Sequence, residues 1–420
     1  MNIALYGVSR SGKNYLIDHL LDALNSKKRK TLFHVNGSGI LDELSQKVFK
    51  ISLKDTTENQ KKQLRFMFYD EFTLVGNDYQ HKIIDAHYCF CKDNDYKIAF
   101  TEKDRDINDI FFYLNTPASI IIEQANKDIN KKEIAYMSEK EIEEWKEFEI
   151  LSLREICLKC NKEFVVIDNI IEDCIDYFET LLLGSRNILL NSEKIAEYII
   201  KKNEKIIHKN KKIILLDCDR TISDNDTTYN FCISMGICKQ NLKNIFQGEH
   251  YSSYQFFRTA KLYAGKDISL YDYASTLAMK KAVLNMSLID DIKHNGSGYL
   301  PIGITSGVFG IWRKIQEKHK FPCIIEGGSN IKIDKFIVSR TVKYQIVRLL
   351  HEIGIYIIAV GDSMGDIDML NEADEGFIIA QEKRNETLET YFKTIKTEIV
   401  QLEYNKLLYD GITVRRSIFS

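Results

Sequence analysis

Four short segments between residues 217 and 366 carry side chains able to move a phosphoryl group. They are Asp217-Cys218-Asp219-Arg220-Thr221, Thr305-Ser306-Gly307, a basic helix start at Lys343, and Gly361-Asp362-Ser363-Met364-Gly365-Asp366. Carboxylates can act as nucleophile, general acid or metal ligand; a serine hydroxyl can donate to a phosphate oxygen, and a lysine can offset charge on the transferring group. Two segments follow apolar runs, Ile213 to Leu216 and Ile355 to Val360, that read as buried parallel strands. Their acids then stand at strand C-termini, where open α/β sheets bind ligands. Asp217, Asp219, Asp362 and Asp366 converging on one crevice would repel by roughly 1 to 4 kcal/mol per close pair, which calls for a cation. Oxygen ligands without a nearby His or Cys cluster favour Mg²⁺.

In this order the segments resemble the haloacid dehalogenase superfamily, specifically its phosphoserine-phosphatase-like branch, over about residues 212 to 382. The resemblance implies an Mg²⁺-dependent phosphomonoesterase acting on a small phosphorylated metabolite. Asp217 would be the nucleophile that becomes an aspartyl-phosphate. Asp219 would protonate the leaving oxygen and then deprotonate water. Mg²⁺ would be held by Asp217, the Asp219 backbone carbonyl and Asp362, with Asp366 in support. Ser306 would bind a phosphate oxygen and Lys343 would balance charge. Lys335 is the alternative lysine; Lys343 is preferred because it opens a helical pattern, Val342, Ile346, Leu349 and Leu350, that leads into the next strand as the family's lysine does. Asp368, Glu372 and Asp374 read as a solvated helix face. Tyr- and Phe-rich helical patterns between Ser223 and about Gly298 resemble the small cap of that branch, which excludes water from the reaction. Tyr251, Tyr254, Phe256 and Phe257 are expected to form the cap's own core, Asp226 to read a substrate amine, and Arg258 to pair with a substrate carboxylate or second phosphate.

The first half carries a different pattern. Ile3 to Tyr6 reads as a strand running into Gly7-Val8-Ser9-Arg10-Ser11-Gly12-Lys13, followed by an apolar-periodic helix through Leu16, Leu20, Leu21 and Leu24. That is the setting of a phosphate cradle, with backbone N–H groups and a lysine aimed at phosphates. Asn14 stands where the pattern has Ser or Thr, the residue that reaches Mg²⁺. Residues 1 to 183 resemble a P-loop kinase of the nucleoside-monophosphate-kinase type, which implies ATP or another NTP bound at Gly7, Ser11, Gly12, Lys13 and Asn14. Asp85, in an Asp85-Ala86-His87 strand end, would orient Mg²⁺ or substrate. Kinase lids usually bring arginines to the phosphoryl group; here Lys127, Lys131, Lys132 and a Glu-rich helix are followed by Arg154, the one nearby arginine.

The expected architecture is α/β: two doubly wound parallel-sheet domains, one P-loop-like and one Rossmann-like, with a helical cap inserted in the second. The divisions are 1–183, a linker and helix over 184–211, 212–382 with its cap at 223–298, and a helical extension over 383–420. A net charge of -2 gives no global attraction to nucleic acid or membrane. The nine cysteines follow no paired framework and read as reduced thiols. With no leader pattern and no long apolar segment, the sequence predicts a cytoplasmic protein. Three functions follow as expectations. The first is a phosphatase fused to an ATP-binding kinase-like domain. The second is end repair of nucleic acid, because polynucleotide kinase-phosphatases join the same two domains. The third is a phosphatase gated by a nucleotide-sensing domain that does no chemistry.

Overall fold

The computed structural model describes residues 1–25, 29–92, 95–127, 132–321, 323–328, 336–379, 385–403 and 408–419. Lys131, Lys335 and the expected boundary at 382 lie outside them. The chain forms two compact units, Met1–Ser185 and Arg186–Ser420.

The first unit has strands β1 (Asn2–Tyr6), β2 (Leu32–Val35), β3 (His81–Asp85), β4 (Cys89–Lys92), β5 (Asp95–Ile98), β6 (Ile110–Leu114) and β7 (Glu163–Ile167). Five form a parallel sheet in the order β2-β3-β1-β6-β7, and β4 pairs with β5 as an antiparallel hairpin. Ile3 to Tyr6 and Ile110 to Leu114 are buried throughout. Helices cover both faces of a parallel sheet, so such strands carry unbroken apolar runs. Helix Lys13–Leu24 buries Leu16, Ile17, Leu20 and Leu24, the single stripe expected of a helix lying on a sheet.

The second unit has β8 (Lys212–Asp217), β9 (Leu300–Thr305), β10 (Ile324–Gly327), β11 (Tyr356–Gly361), β12 (Glu375–Ile379), β13 (Val400–Leu402) and β14 (Val414–Arg415). They form a parallel sheet in the order β10-β9-β8-β11-β12-β13-β14. Alternate residues of β8 serve opposite faces: Ile214 and Leu216 join one core cluster, Ile213 and Leu215 the other. Between β8 and β9 the chain inserts helices Thr227–Ser234, Lys239–Ile245, Ser253–Tyr263, Ile268–Lys281 and Met286–Asn295. The strand order reverses at β8, so the crevice at its carboxyl end is a topological switch point.

Two segments differ from expectation. Helix Ser192–Ile207, read as part of a linker, buries Ile195 and Ile199 in one cluster with Val342 and Ile346, so it is a layer of the second unit. Residues 383–420, read as helical, supply helix Glu386–Thr394 and the edge strands β13 and β14. No helix among the described residues is long and apolar enough to cross a membrane.

Candidate active site

Asp217 is the last residue of β8 and is buried. Lys343 lies in the first turn of helix Arg340–Glu352, and its ammonium donates to Asp217 Oδ1 at 2.5 Å and to Asp366 Oδ1 at 2.7 Å. Asp366 Oδ2 accepts from the backbone N–H groups of Asp362 and Ser363 and from the Ser363 hydroxyl, at 2.9 to 3.2 Å. Asp366 therefore folds the turn after β11 and fixes the lysine at once. Gly361 permits this turn, since a Cβ there would lie 2.4 Å from the Asp366 Cβ. Asp217, Asp362 and Asp366 each offer a carboxylate oxygen within 4.8 Å of the others, a hard-oxygen set that suits Mg²⁺. Asp366 already accepts several hydrogen bonds, so Asp217 and Asp362 hold more of the lone pairs open to an ion.

The turn Cys218–Ile222 leaves helical geometry at Asp219 and Arg220, the latter with φ 61. This turn aims Asp219 at the start of helix Thr227–Ser234. Its Oδ1 accepts from the Thr227 backbone at 2.8 Å and the Thr227 hydroxyl at 2.5 Å, and its Oδ2 from the Thr228 hydroxyl at 2.8 Å. Ser306 follows β9, whose Ile304 pairs with Asp217, so it reaches the same sheet edge. Gly307 is packed against this group: a Cβ there would meet Thr228 Oγ1 at 2.0 Å and Asp219 Oδ2 at 2.7 Å.

Burial sets the electrostatics. It pushes Asp217 up to about 7, against Lys343 and with added repulsion from Asp366. Burial and then the charge of Asp226 push Asp219 up to about 6, against the hydrogen bonds from Thr227 and Thr228. Burial, with Asp217 and Asp366, carries Asp362 well above the usual carboxylate range. Burial opposes the charge on Lys343, yet Asp217 and Asp366 hold its pKa above the ordinary lysine value. A divalent cation among these carboxylates would reverse their shifts, because the ion becomes the largest local charge.

The cap residues are placed unevenly. Tyr254 and Phe257 are buried, while Tyr251 and Phe256 are half-buried and share an aromatic group with Phe246. Asp226 caps helix Thr227–Ser234 through the Tyr229 N–H at 2.7 Å and lies 3.5 Å from the Arg220 guanidinium, so its charge is already engaged. Arg258 lies over the Tyr254 ring. Asp368 is not a solvated helix residue: it is buried and receives both Nε and Nη2 of Arg340. A carboxylate at that depth needs such a partner, and the pair ties the lysine-bearing helix to helix Ile367–Glu372. Glu372 and Asp374 are about one-third exposed, and Asp374 accepts from the Ile357 N–H. Sequence reasoning missed Arg220, Thr227, Thr228 and Arg340. The Asp-Thr-Thr helix start was the available signal for the threonines.

In the first unit the loop after β1 runs into helix Lys13–Leu24, whose N-cap Gly12 is left-handed and provides no side-chain cap. A helix start without a side-chain cap is a setting in which N–H groups can meet an anion. Lys13 is buried and donates to the carbonyls of Gly7 at 2.6 Å and Val8 at 3.2 Å; burial lowers its pKa to about 8, against Glu149 and Asp85. The Ser11 hydroxyl is buried and has no hydrogen-bond partner among the described residues. Asn14 is exposed. Asp85 ends β3 and lies 2.9 Å from His34 Nε2. Arg154 is buried with its guanidinium over the Phe164 ring, at the register of Phe111 and Ala4, three residues short of Gly7.

No protein-family model matches the chain, and no curated protein does. Among solved structures, a phosphoserine phosphatase with an analogue of its phospho-aspartyl intermediate is similar over 44% of this chain and 100% of its own, at 22% identity and TM-score 0.33. A substrate-bound phosphoserine phosphatase complex matches over 44% and 99%, at 20% identity and TM-score 0.32. The phosphoserine phosphatase from T. onnurineus matches over 44% and 96%, at 17% identity and TM-score 0.31.

Proposed function

We propose that the second unit is an Mg²⁺-dependent phosphomonoester hydrolase working through an aspartyl-phosphate on a small phosphorylated substrate. The observation that carries this reading is Lys343 bridging Asp217 and Asp366, residues 126 and 23 positions away, at a sheet edge that also holds Asp362. An Asp217 oxygen attacks phosphorus, and the ester P–O bond breaks as Asp219 delivers its proton to the leaving oxygen. The hydrogen bonds from Thr227 and Thr228 hold the Asp219 carboxyl in one place for both halves of this cycle. Asp219 then takes a proton from water, the water oxygen attacks phosphorus, and the bond to Asp217 breaks to release inorganic phosphate. Ser306 donates to a phosphate oxygen and Lys343 balances the charge that builds there. Mg²⁺, held by Asp217, the Asp219 carbonyl and Asp362, would supply the charge neutralisation that lets one anion approach another. Asp217→Asn should cut p-nitrophenyl phosphate hydrolysis by more than about 10³-fold with the circular dichroism spectrum unchanged; full activity in that variant refutes the reading.

For the first unit we infer that ATP or another nucleoside triphosphate binds at Gly7–Lys13. The helix start without a side-chain cap and the buried Ser11 hydroxyl, which has no partner among the described residues, support this. The exposure of Asn14 and the packing of Arg154 on Phe164 favour nucleotide sensing over phosphoryl transfer. Calorimetric titration with ATP should show binding that Lys13→Ala abolishes. ATP-dependent phosphorylation of a nucleoside or nucleotide acceptor would overturn the sensing role. A small substrate suits the second unit better than a polymer end, because the Tyr251 ring of the insert closes on the turn at Gly365. Release of phosphate from a 3'-phosphorylated oligonucleotide would reverse that preference.

A further inference from the structure

The turn after β8 and the start of the insert bring two opposite charges together beside Asp219. Arg220 follows Asp219 in the chain, and Asp226 precedes Thr227, whose backbone N–H bonds to Asp219 at 2.8 Å. Arg220 Nη2 lies 3.5 Å from Asp226 Oδ2, and the guanidinium also feels the charges of Asp362 and Asp219. In the proposed reaction Asp219 serves the leaving oxygen, so this pair borders the leaving group.

Arg220 holds φ 61, a left-handed conformation that glycine takes freely and other residues keep only where their surroundings impose it. The side chains remain 51% exposed in Arg220 and 33% in Asp226, so solvent reaches both. Their separation is longer than the usual hydrogen bond. Asp226 Oδ1 accepts from the Tyr229 N–H, while Oδ2 accepts no hydrogen bond among the described residues. A guanidinium donor thus stands beside a carboxylate acceptor.

Opposite unit charges this close largely cancel for a third charge placed against both. An ammonium there is drawn by Asp226 and repelled by Arg220, a carboxylate the reverse, and each gives up its water for little return. A hydroxyl both accepts and donates. It can take an N–H from Arg220 and give its proton to Asp226, each bond assisted by charge. The neighbouring acids, Asp362 and Asp219, are committed in the proposed reaction to the ion and to the leaving oxygen.

We propose that Arg220 and Asp226 together set substrate choice by reading a hydroxyl on the leaving group, which makes the substrate a phosphate ester of a neutral, hydroxyl-bearing compound such as a polyol or sugar. The proposal rests on the phosphatase reading of the second unit, and it replaces the amine-reading role expected of Asp226.

Phosphate release by the full chain with Mg²⁺ tests it on a set of small esters. Glycerol 3-phosphate carries hydroxyls and n-propyl phosphate lacks them; O-phosphoethanolamine and phosphoserine carry an ammonium, and 2-phosphoglycolate a carboxylate. Glycerol 3-phosphate should exceed each of the others in kcat/KM by about tenfold or more, because a site built to bond a hydroxyl rejects a ligand without one. Arg220→Gly suits the left-handed backbone and leaves Asp226 to meet an ammonium alone. It should raise the ratio of kcat/KM for O-phosphoethanolamine to that for glycerol 3-phosphate by about tenfold or more, and Arg220→Lys, which keeps the charge, should raise it less. The ratio cancels any general loss of activity. A wild-type chain that hydrolyses any of the other esters as well as glycerol 3-phosphate overturns the proposal, as does a ratio unmoved by Arg220→Gly. Hydrolysis of p-nitrophenyl phosphate reports the reaction itself. Where it persists beside such results, this proposal alone is overturned; where the wild-type chain lacks it, the phosphatase reading is overturned and this proposal with it.

Discussion

At the scale of single residues, Asp219 separates two roles that a carboxylate at this position can have. If it serves as the acid, its removal should matter most where the leaving group is poor. Asp219→Ala should slow hydrolysis of an alkyl phosphomonoester at least about tenfold more than that of p-nitrophenyl phosphate, whose leaving group needs little protonation. Equal losses with both substrates would make Asp219 a structural anchor for Thr227 and Thr228. The same carboxyls fix a pH dependence. Asp217 at about 7 and Asp219 at about 6 stand above the unfolded value of 3.8, so the metal-free folded chain holds more protons than the unfolded one between these limits. Their contribution is complete below about pH 4 and is lost as pH rises through 6 and 7, on the order of a few kcal/mol. Thermal unfolding in EDTA should accordingly shift to lower temperature from pH 5 to 8, Asp217→Asn should flatten that trend, and Mg²⁺ at pH 8 should restore stability. A midpoint that climbs with pH in EDTA would contradict the assigned shifts.

At the scale of elements, the site depends on how helix Arg340–Glu352 is held. Arg340 and Asp368 are both buried and paired, and removing one partner strands a charge at a cost of about 3 to 5 kcal/mol. Arg340→Met should destabilise the protein by about that amount and disturb Lys343. Arg340→Met with Asp368→Leu should recover much of the loss, because no unpaired charge remains. A double-mutant cycle in urea measures the coupling, and additive losses would show that the pair does not act as a unit. This clamp also marks where the sequence stops being informative. Asp217 and Asp362 were conspicuous because each ends a buried apolar run, and Lys343 because it opens a helical repeat. Arg340 and Asp368 lie 28 residues apart, and nothing in the local pattern of either announces the other. Asp368 also falls on a helix with other acids, where solvation is the ordinary expectation. Strands β13 and β14, with 3 and 2 residues, are too short to show an alternation.

At the scale of the whole molecule, one core cluster of the first unit draws on Ala4 through Val166, and two clusters of the second on Ile195 through Ile418. The residues of the proposed phosphatase centre, Asp217, Asp219, Ser306, Lys343, Asp362 and Asp366, all belong to the second unit. A unit with its own core and all the proposed reacting groups should fold and work alone. Residues 186–420, expressed separately, should therefore hydrolyse p-nitrophenyl phosphate with kcat/KM within about threefold of the full chain, since loss of a catalytic contact costs far more than that. The comparison also tests the sensing role of the first unit. ATP should change the phosphatase activity of the full chain and leave that of 186–420 unaltered. An isolated second unit that folds cooperatively but has lost its activity would mean that the first unit supplies something the reaction needs, and the division of labour between the units would have to be redrawn.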